Sequence, residues 1–532
     1  MFLRNIIRRR KTANQLATRV LYGGKSGNSR FVAEEACRNV KKTGIRSELW
    51  SLNSYPFELL PRETILLIVL STDGEGEMPP NADKFYRRLT KESPDLSALH
   101  YTICALGDSS FDLFCQAGKD LDRRFQELGA RRLLNRVDCD ADFQQEAAGW
   151  LRMVVAELSG GADEATGISL PGASPVYTAK ILKKVLLNPG SEREVYHLVL
   201  SNDYPVAYEP GDSVRISPAN PQRLVDEVLK LCRPETGLEA DMLQRQREAL
   251  LNDYELTSLT MPFLESYCKA GKSRNLASFV LDESWRKNYR AHQDVADLLL
   301  DFPTKLTARQ LMELLPRMKS RCYSIASSRV NHPGELHLTV RQVRFEHKDR
   351  IRYGACSTYL NQWMQVDQQF SFQLATTGHF RLPANSNAPI VMIATGTGIA
   401  PFIGFMQQRE YQGAKDNWLV FGEQYSAYDF LYQKEILYWK QNGLLAELDL
   451  VFSRDGGDKG YVQDLLLEKQ DMLDLWIRNG AVLYLCGSSK MGMAVCKTLI
   501  TIFKNRLNCT DDEARRYVEK LEENGKLLTD LY

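Results

Sequence analysis

At 532 residues the chain is too long for a single hydrophobic core, and the length predicts about three domains. A charged fraction of 25% with a net charge of +1 excludes the global basic field that nucleic-acid binding needs. No run of eighteen apolar residues occurs, so no membrane-spanning helix is predicted. Residues 1–18 read as a basic tail whose opening, Met1-Phe-Leu-Arg-Asn-Ile-Ile-Arg-Arg-Arg-Lys11, holds too few apolar residues for a secretory leader. Eleven cysteines without a Cys-x-x-Cys pair predict reduced thiols in a cytoplasm. Seven dispersed histidines, with no His-Glu-x-x-His and no nearby ligand cluster, predict no metal site.

The first domain opens with a strand over 18–22, the turn Gly23-Gly-Lys-Ser-Gly-Asn-Ser29 and a helix over 30–42. Gly24-Lys25-Ser26 looks like the end of a nucleotide-triphosphatase loop, but Arg19 stands where that loop requires its first glycine. A hydroxyl-glycine-asparagine turn at a helix start suits a phosphate monoester. Two apolar strands end in glycine-rich loops at the same pole: Thr64-Ile-Leu-Leu-Ile-Val-Leu70 in Ser71-Thr-Asp-Gly-Glu-Gly-Glu77, and Tyr101-Thr-Ile-Cys-Ala-Leu106 in Gly107-Asp-Ser-Ser-Phe-Asp-Leu-Phe-Cys115. Five short strands alternating with helices predict a flavodoxin-like, doubly wound α/β domain over 19–157. A phosphate loop, two glycine-rich loops and an aromatic, Phe111, at one edge make a site for FMN. Asp73, Glu75, Glu77, Asp138, Asp140 and Asp142 crowd that edge and predict a docking face for a basic partner surface.

Residues 158–174 have the composition of a flexible hinge. From 175 the pattern becomes short strands, interrupted by a helical interval over about 221–301, and predicts an antiparallel β-barrel with a helical insertion over 175–385. Within it Arg321 is placed to hold a pyrophosphate and Tyr323 to stack on a flavin. Gly354-Ala-Cys-Ser357 brings backbone N–H groups and a hydroxyl to the same phosphates.

Over 386–532 strands and helices alternate again, as in a parallel α/β nucleotide domain. The apolar run Pro389-Ile-Val-Met-Ile-Ala394 stops at Thr395-Gly-Thr-Gly-Ile-Ala-Pro-Phe402, which reads as strand, glycine turn and helix with Pro401 in the first turn. Val451-Phe-Ser453-Arg454, Lys459-Gly-Tyr461-Val-Gln463 and Leu485-Cys486-Gly487 fall at carboxyl ends of neighbouring strands and converge on one crevice. Ser453, Arg454 and Lys459 supply a hydroxyl and two cations for the extra phosphate that separates NADPH from NADH.

These motifs in this order resemble the diflavin reductases, most closely the flavoprotein subunits of bacterial NADPH-sulfite reductases. The likeness runs from about Arg19 to the terminal Asp530-Leu-Tyr532. It is most specific at Ser71-Thr-Asp-Gly-Glu-Gly-Glu77, Leu106-Gly-Asp-Ser-Ser110, Phe114-Cys-Gln-Ala-Gly-Lys-Asp120, Arg321-Cys-Tyr-Ser-Ile-Ala-Ser-Ser328 and Thr395-Gly-Thr-Gly-Ile-Ala-Pro401. The resemblance implies FMN at Gly24, Lys25, Ser26, Gly27, Asn28, Ser29, Ser71, Thr72, Asp73, Gly74, Leu106, Gly107, Asp108, Ser109, Ser110, Phe111 and Cys115. It implies a ferredoxin-NADP-reductase-like pair of domains with FAD at Arg321, Cys322, Tyr323, Ser324, Thr339, Val340, Arg341, Phe345, Gly354, Ala355, Cys356 and Ser357, and with Tyr532 over the ring. NADPH is expected at Thr397, Ser453, Arg454, Lys459, Gly460, Tyr461, Val462 and Gln463.

Ser324, Cys486 and Asp530 match the family's trio around the hydride path. Their chemistry suits it: a hydroxyl beside the accepting nitrogen, a carboxylate that stabilises the positive nicotinamide, and a thiol that packs on the ring. Three positions depart from the family pattern: Gly24-Lys25 in the first loop, an anion at Asp73, and Ala494 in place of an aspartate. The N-terminal extension through which the sulfite reductase flavoprotein assembles is nearly missing. The implied activity is NADPH to FAD to FMN to a metalloprotein, best guessed as a sirohaem, iron-sulfur sulfite reductase subunit. Another haem protein or methionine synthase as acceptor, or a flavin-binding interaction module without turnover, are the alternatives.

Overall fold

The computed structural model describes residues 17–532 apart from 26, 75, 110, 112, 142, 160–174, 202–205, 236, 238, 348–349, 377–378 and 457–459. Most of the basic tail and of the hinge therefore lies outside the described residues. The chain divides into two compact units, Met1–Ser174 and Pro175–Tyr532.

In the first unit β1 (Ala17–Gly23), β2 (Arg46–Ser51), β3 (Ile65–Ser71), β4 (His100–Leu106), β5 (Arg131–Arg132) and β6 (Val137–Cys139) form one parallel sheet. The order is β2-β1-β3-β4, with β5 and β6 both against β4. The apolar run of β3 explains its central place. Ile65, Leu67 and Val69 enter a core with Trp150 and Val154 of the helix Gln144–Ser159. Leu66, Ile68 and Leu70 enter the opposite core with Phe85 and Phe125. A strand buried on both faces has no polar side, so its sequence shows no alternation.

The second unit begins with β7 (Val176–Leu186), β8 (Val195–Ser201), β9 (Ser213–Ile216), β10 (Arg321–Ser324) and β11 (Glu335–Arg341). The hairpin β12 (Arg344–His347) and β13 (Arg350–Tyr353) follows, and then β14 (Gln369–Ala375). Six of these strands pair antiparallel in the order β10-β9-β14-β7-β8-β11. The two edges of that sheet meet at a single bridge between Ile325 and Leu338, so it curls like a barrel that closes at one corner. The helical insertion runs from Gln222–Leu231 to Val295–Asp301 around its own core of Val225, Phe263, Leu264 and Leu298. It continues past 301 to the short helix Ala308–Met312, because Thr307 and Gln310 form a capping box that starts another turn.

The chain ends in a parallel sheet of β15 (Ile390–Thr395), β16 (Asn417–Glu423), β17 (Glu447–Phe452), β18 (Val482–Gly487) and β19 (Leu527–Leu531), in the order β17-β16-β15-β18-β19. As in β3, alternate residues of β15 feed two cores, Ile390, Met392 and Ala394 on one side and Val391 and Ile393 on the other. The buried guanidinium of Arg409 donates to the carbonyls of Ser386, Ala388 and Asp416 at 3.0, 3.0 and 3.3 Å, tying down the segments that enter β15 and β16. Burial pulls this arginine down to about 10. Among the described residues no helix is long and apolar enough to cross a membrane.

Candidate functional site

In the first unit the three loops predicted to hold a flavin all leave carboxyl ends of the sheet. Gly24 is the packing point: a Cβ there would stand 2.4 Å from Ser71 Oγ and 2.6 Å from Ser29 Oγ, so only glycine lets these hydroxyls converge. Asn81 clips the backbone of Gly24, accepting from its N–H at 2.8 Å and donating to its carbonyl at 3.1 Å. Gly27 adopts φ 77° and starts the helix Asn28–Lys42 with no side-chain cap. Among the described residues, the buried hydroxyl of Ser29 in the first turn has no hydrogen-bond partner. An unpartnered hydroxyl at an uncapped helix start is what a phosphate monoester would complete, so this loop fits FMN.

The second and third loops are stiffened by their own contacts. Asp73 and Glu77 exchange backbone hydrogen bonds at 2.9 and 2.8 Å, and Thr72 Oγ1 accepts from the N–H of Ala117. Ser109 donates to Asp140 through both its N–H (2.9 Å) and its hydroxyl (2.5 Å). Phe111 is 49% exposed, a free aromatic face beside these loops. Cys115 is buried, and burial pushes its thiol up to about 12, which makes it a packing group rather than a nucleophile. Two of the departures meet here: Lys25 and Asp73 form an ion pair across the first and second loops. Asp138 is likewise paired with Arg136, so part of the expected acidic docking face is neutralised. Ser26, Ser110, Glu75 and Asp142 lie outside the described residues.

In the second unit a cavity of about 1180 Å3 opens between the curled antiparallel sheet and the parallel sheet. Arg321, Cys322, Tyr323, Ser324, Thr339, Arg341, Phe345 and Gly354 to Ser357 line one side; Thr397, Ser453, Gly460 to Gln463, Asp530 and Tyr532 line the other. Val340 faces the core instead, because its neighbours on the strand take the cavity side. Arg454 is not in the lining and sits over the ring of Tyr425 at 6.0 Å, and Lys459 lies outside the described residues. The described lining carries five cations, Arg193, Arg290, Arg321, Arg341 and Lys490, against two carboxylates, Glu423 and Asp530. That excess and the long volume suit a dinucleotide with its pyrophosphate.

Three side chains meet at the hinge of the cavity. Parallel pairing of β18 and β19 sets Cys486 beside Asp530, and Ser324 at the end of β10 reaches across to them. Asp530 Oδ2 accepts from Ser324 Oγ at 3.0 Å and from Cys486 Sγ at 3.8 Å. Burial raises the carboxyl of Asp530 above its ordinary value, and the Ser324 hydrogen bond opposes that shift. Burial also lifts the Cys486 thiol well above its usual range. The close fit depends on Gly398, where a Cβ would stand 2.2 Å from the carbonyl oxygen of Cys486. Tyr532 closes this end: its N–H donates to Gly487 O at 3.0 Å, its carbonyl accepts from Ser489 N at 3.1 Å, and its hydroxyl lies 2.8 Å from Thr397 Oγ1.

Arg193, Arg290, Thr257, Ser258, Glu423 and Lys490 line the cavity without having been singled out from the sequence. Arg290, Thr257 and Ser258 come from the helical insertion, where no motif marks them. Lys490 carried a signal, a cation one turn after Cys486-Gly487 at a helix start. Ala494, four residues on, also lines the cavity, so the missing aspartate is missing from this wall.

Three family models match in chain order: Flavodoxin over residues 20–150, FAD binding domain over 273–359, and Oxidoreductase NAD-binding domain over 392–497. The sulfite reductase [NADPH] flavoprotein alpha-component of Bacillus subtilis (strain 168) is 37% identical over 96% of this chain and 89% of its own length. That of Photorhabdus laumondii is 34% identical over 96% and 89%, and that of Neisseria meningitidis serogroup C 35% over 98% and 90%. Identity at this level runs along nearly the whole of this chain and most of each relative. The chain belongs to the family of NADPH-sulfite reductase flavoprotein alpha-components.

Proposed function

We propose that this protein takes hydride from NADPH at a FAD site in its second unit and passes the electrons through an FMN site in its first unit to a metalloprotein. The observation that carries this reading is the hydrogen-bonded cluster of half-buried Ser324 and Asp530 with buried Cys486 at the wall of a cationic, dinucleotide-sized cavity. Bound FAD and FMN supply the conversion of a nicotinamide electron pair into single electrons. The protein's own part is to bind, orient and exclude water. Arg321, Arg341 and the Gly354 to Ser357 segment offer charge and donors to a pyrophosphate, Tyr323 a ring face, and Asp530 a negative charge for the positive ring that hydride loss leaves. Ser453 and Tyr461 line the part of the cavity assigned to the nicotinamide nucleotide, with Arg454 next in the chain to read the 2'-phosphate; Lys459, the second cation expected there, lies outside the described residues.

The same reading divides the chain at 19–157 for FMN, 175–385 for FAD with its helical insertion, and 386–532 for NADPH. The acceptor it favours is the sirohaem, iron-sulfur subunit of an assimilatory sulfite reductase, since relatives at 34–37% identity carry that enzyme's name. It also puts the protein in the cytoplasm, in keeping with eleven free cysteines.

Acid extraction of purified protein should release FMN and FAD in equal amounts, and NADPH should reduce a dye acceptor. Sulfide should form when sulfite and the candidate haemoprotein are added. Dye reduction without sulfide would move the acceptor to another haem protein or methionine synthase; bound flavin without dye reduction would leave only an interaction module.

A further inference from the structure

Outside the lining of the large cavity, the turn before β11 and the first half of that strand carry His332, Glu335 and His337. One ligand-capable atom from each lies within 4.8 Å of the others. His337 Nε2 is 3.0 Å and His332 Nδ1 3.5 Å from the same oxygen, Glu335 Oε2. Ligands bound at about 2.0–2.1 Å in a tetrahedron around zinc stand about 3.4 Å apart. Two of the three edges therefore already have nearly the length that coordination requires.

The fold makes this arrangement. Glu335 and His337 are two residues apart on β11 and so share one face. The preceding turn brings His332 back to them: the N–H groups of Asn331 and His332 both donate to Ser328 O, at 3.1 and 3.0 Å, and Glu335 N donates to His332 O at 3.2 Å. His337 is buried, with His197 packed edge-on against its ring at a centroid distance of 4.9 Å, so one ligand is fixed. His332 and Glu335 are partly open to solvent. Beside His332 lies a cleft of about 450 Å3 in whose lining two carboxylates, Glu410 and Glu435, outnumber one cation, Lys434. Those charges favour a cation, and the space admits water as a further ligand. None of the three lines the large cavity.

We infer that His332, Glu335 and His337 form a site for a divalent transition ion of the zinc class, with two imidazole nitrogens, one carboxylate oxygen and an open position toward the cleft. This donor set is borderline in softness and suits zinc, not magnesium or calcium. The site is separate from the hydride path but not remote from it. Thr339 and Arg341, on the same face of β11 as Glu335 and His337, line the large cavity, so a bound ion braces a strand that forms its wall.

The test is calorimetric titration of the full-length, flavin-loaded protein with Zn2+, repeated on H332A, H337A and H292A. His292 stacks on His347 at 5.1 Å, a second close imidazole pair, and serves as the control. Wild type and H292A should bind one equivalent, and H332A and H337A should bind it at least about tenfold more weakly. Zn2+ should raise the melting temperature of wild type and leave that of H332A unmoved. His332 sits in a partly exposed turn, so H332A keeps the test open even where the buried H337A fails to fold. Equal affinity in H332A and wild type, a loss confined to H292A, or no saturable binding below about 1 mM Zn2+ would each overturn the inference.

Discussion

Ser324 Oγ, on the last residue of β10, donates a 3.0 Å hydrogen bond to Asp530 Oδ2 on β19, linking the antiparallel sheet to the parallel one at the wall of the large cavity. Because burial raises Asp530, its ionisation is costly, and a positive ring beside it would offset that cost. Asp530→Asn should slow flavin reduction by NADPH on the order of a hundredfold while FAD stays bound. In wild type the acid limb of that rate should lie above the ordinary carboxylate value of 3.8, and in the variant it should vanish. Stability gives an independent sign. With the folded value raised, the native state holds the proton longer than the unfolded chain, so stability falls as pH rises from 3.8 to the raised value. Thermal unfolding of the variant should lack that part of the slope; an identical slope would mean Asp530 is not the group.

Lys25 and Asp73 give a second prediction, since the pair joins two of the positions that depart from the family pattern. Lys25→Ala leaves an anion beside the phosphate loop and should weaken FMN by about 10- to 100-fold, the loss expected for one charge-assisted contact. Asp73→Asn frees a cation there and should tighten it. The double variant should return close to wild type, with a coupling energy above about 0.5 kcal/mol. Fluorescence of released FMN on dilution measures all four species. Strict additivity would make the pair incidental.

How much of this was readable beforehand follows from how local each feature is. The turns after β1 and β15 were legible because strand, glycine and helix start are contiguous, and β3 and β15 announced burial through unbroken apolar runs. Ser324, Cys486 and Asp530 were reachable only through resemblance, because their meeting depends on the pairing of β18 with β19 and on a contact spanning 206 residues. The Lys25 and Asp73 pair and the cavity face of Arg290 had no sequence signal, since each is made by loops or helices distant along the chain. His332-x-x-Glu335-x-His337 was visible as letters, but that spacing converges only when a turn feeds a strand, and the histidines read as dispersed.

A third prediction concerns Arg454, whose guanidinium rests over Tyr425 and not in the cavity lining. On the proposed function, a 2'-phosphate entering past Ser453 would draw it off that ring. Arg454→Ala should therefore weaken NADPH by roughly 1.5 to 3 kcal/mol and barely affect NADH. Dissociation constants for both nucleotides check this, and equal losses would point to a folding defect.

The last prediction concerns Tyr532, which as a chain terminus would ordinarily fray. Here both backbone groups are hydrogen-bonded, to Gly487 and Ser489, and the hydroxyl is held at Thr397, yet the residue as a whole is 61% exposed. Anchored backbone with an open ring is the arrangement of a side chain that can swing. It lies two residues from Asp530 in the same cavity wall, so on the proposed function the phenol stands next to the place the nicotinamide ring has to reach. Aromatic stacking is worth about 0.5 to 1.5 kcal/mol beyond burial, and each productive nucleotide has to displace it. NADPH can do so with its extra phosphate contacts, whereas NADH lacks them. Tyr532→Ala should tighten nicotinamide binding about two- to tenfold, raise kcat/KM for NADH relative to NADPH, and slow turnover by delaying release of NADP+. Thr397→Val, which removes the partner of the hydroxyl and leaves the ring, should move the same ratio in the same direction by less. Steady-state kinetics with both nucleotides, on variants that retain FAD, decide the matter: an unchanged preference would show that the ring does not control entry.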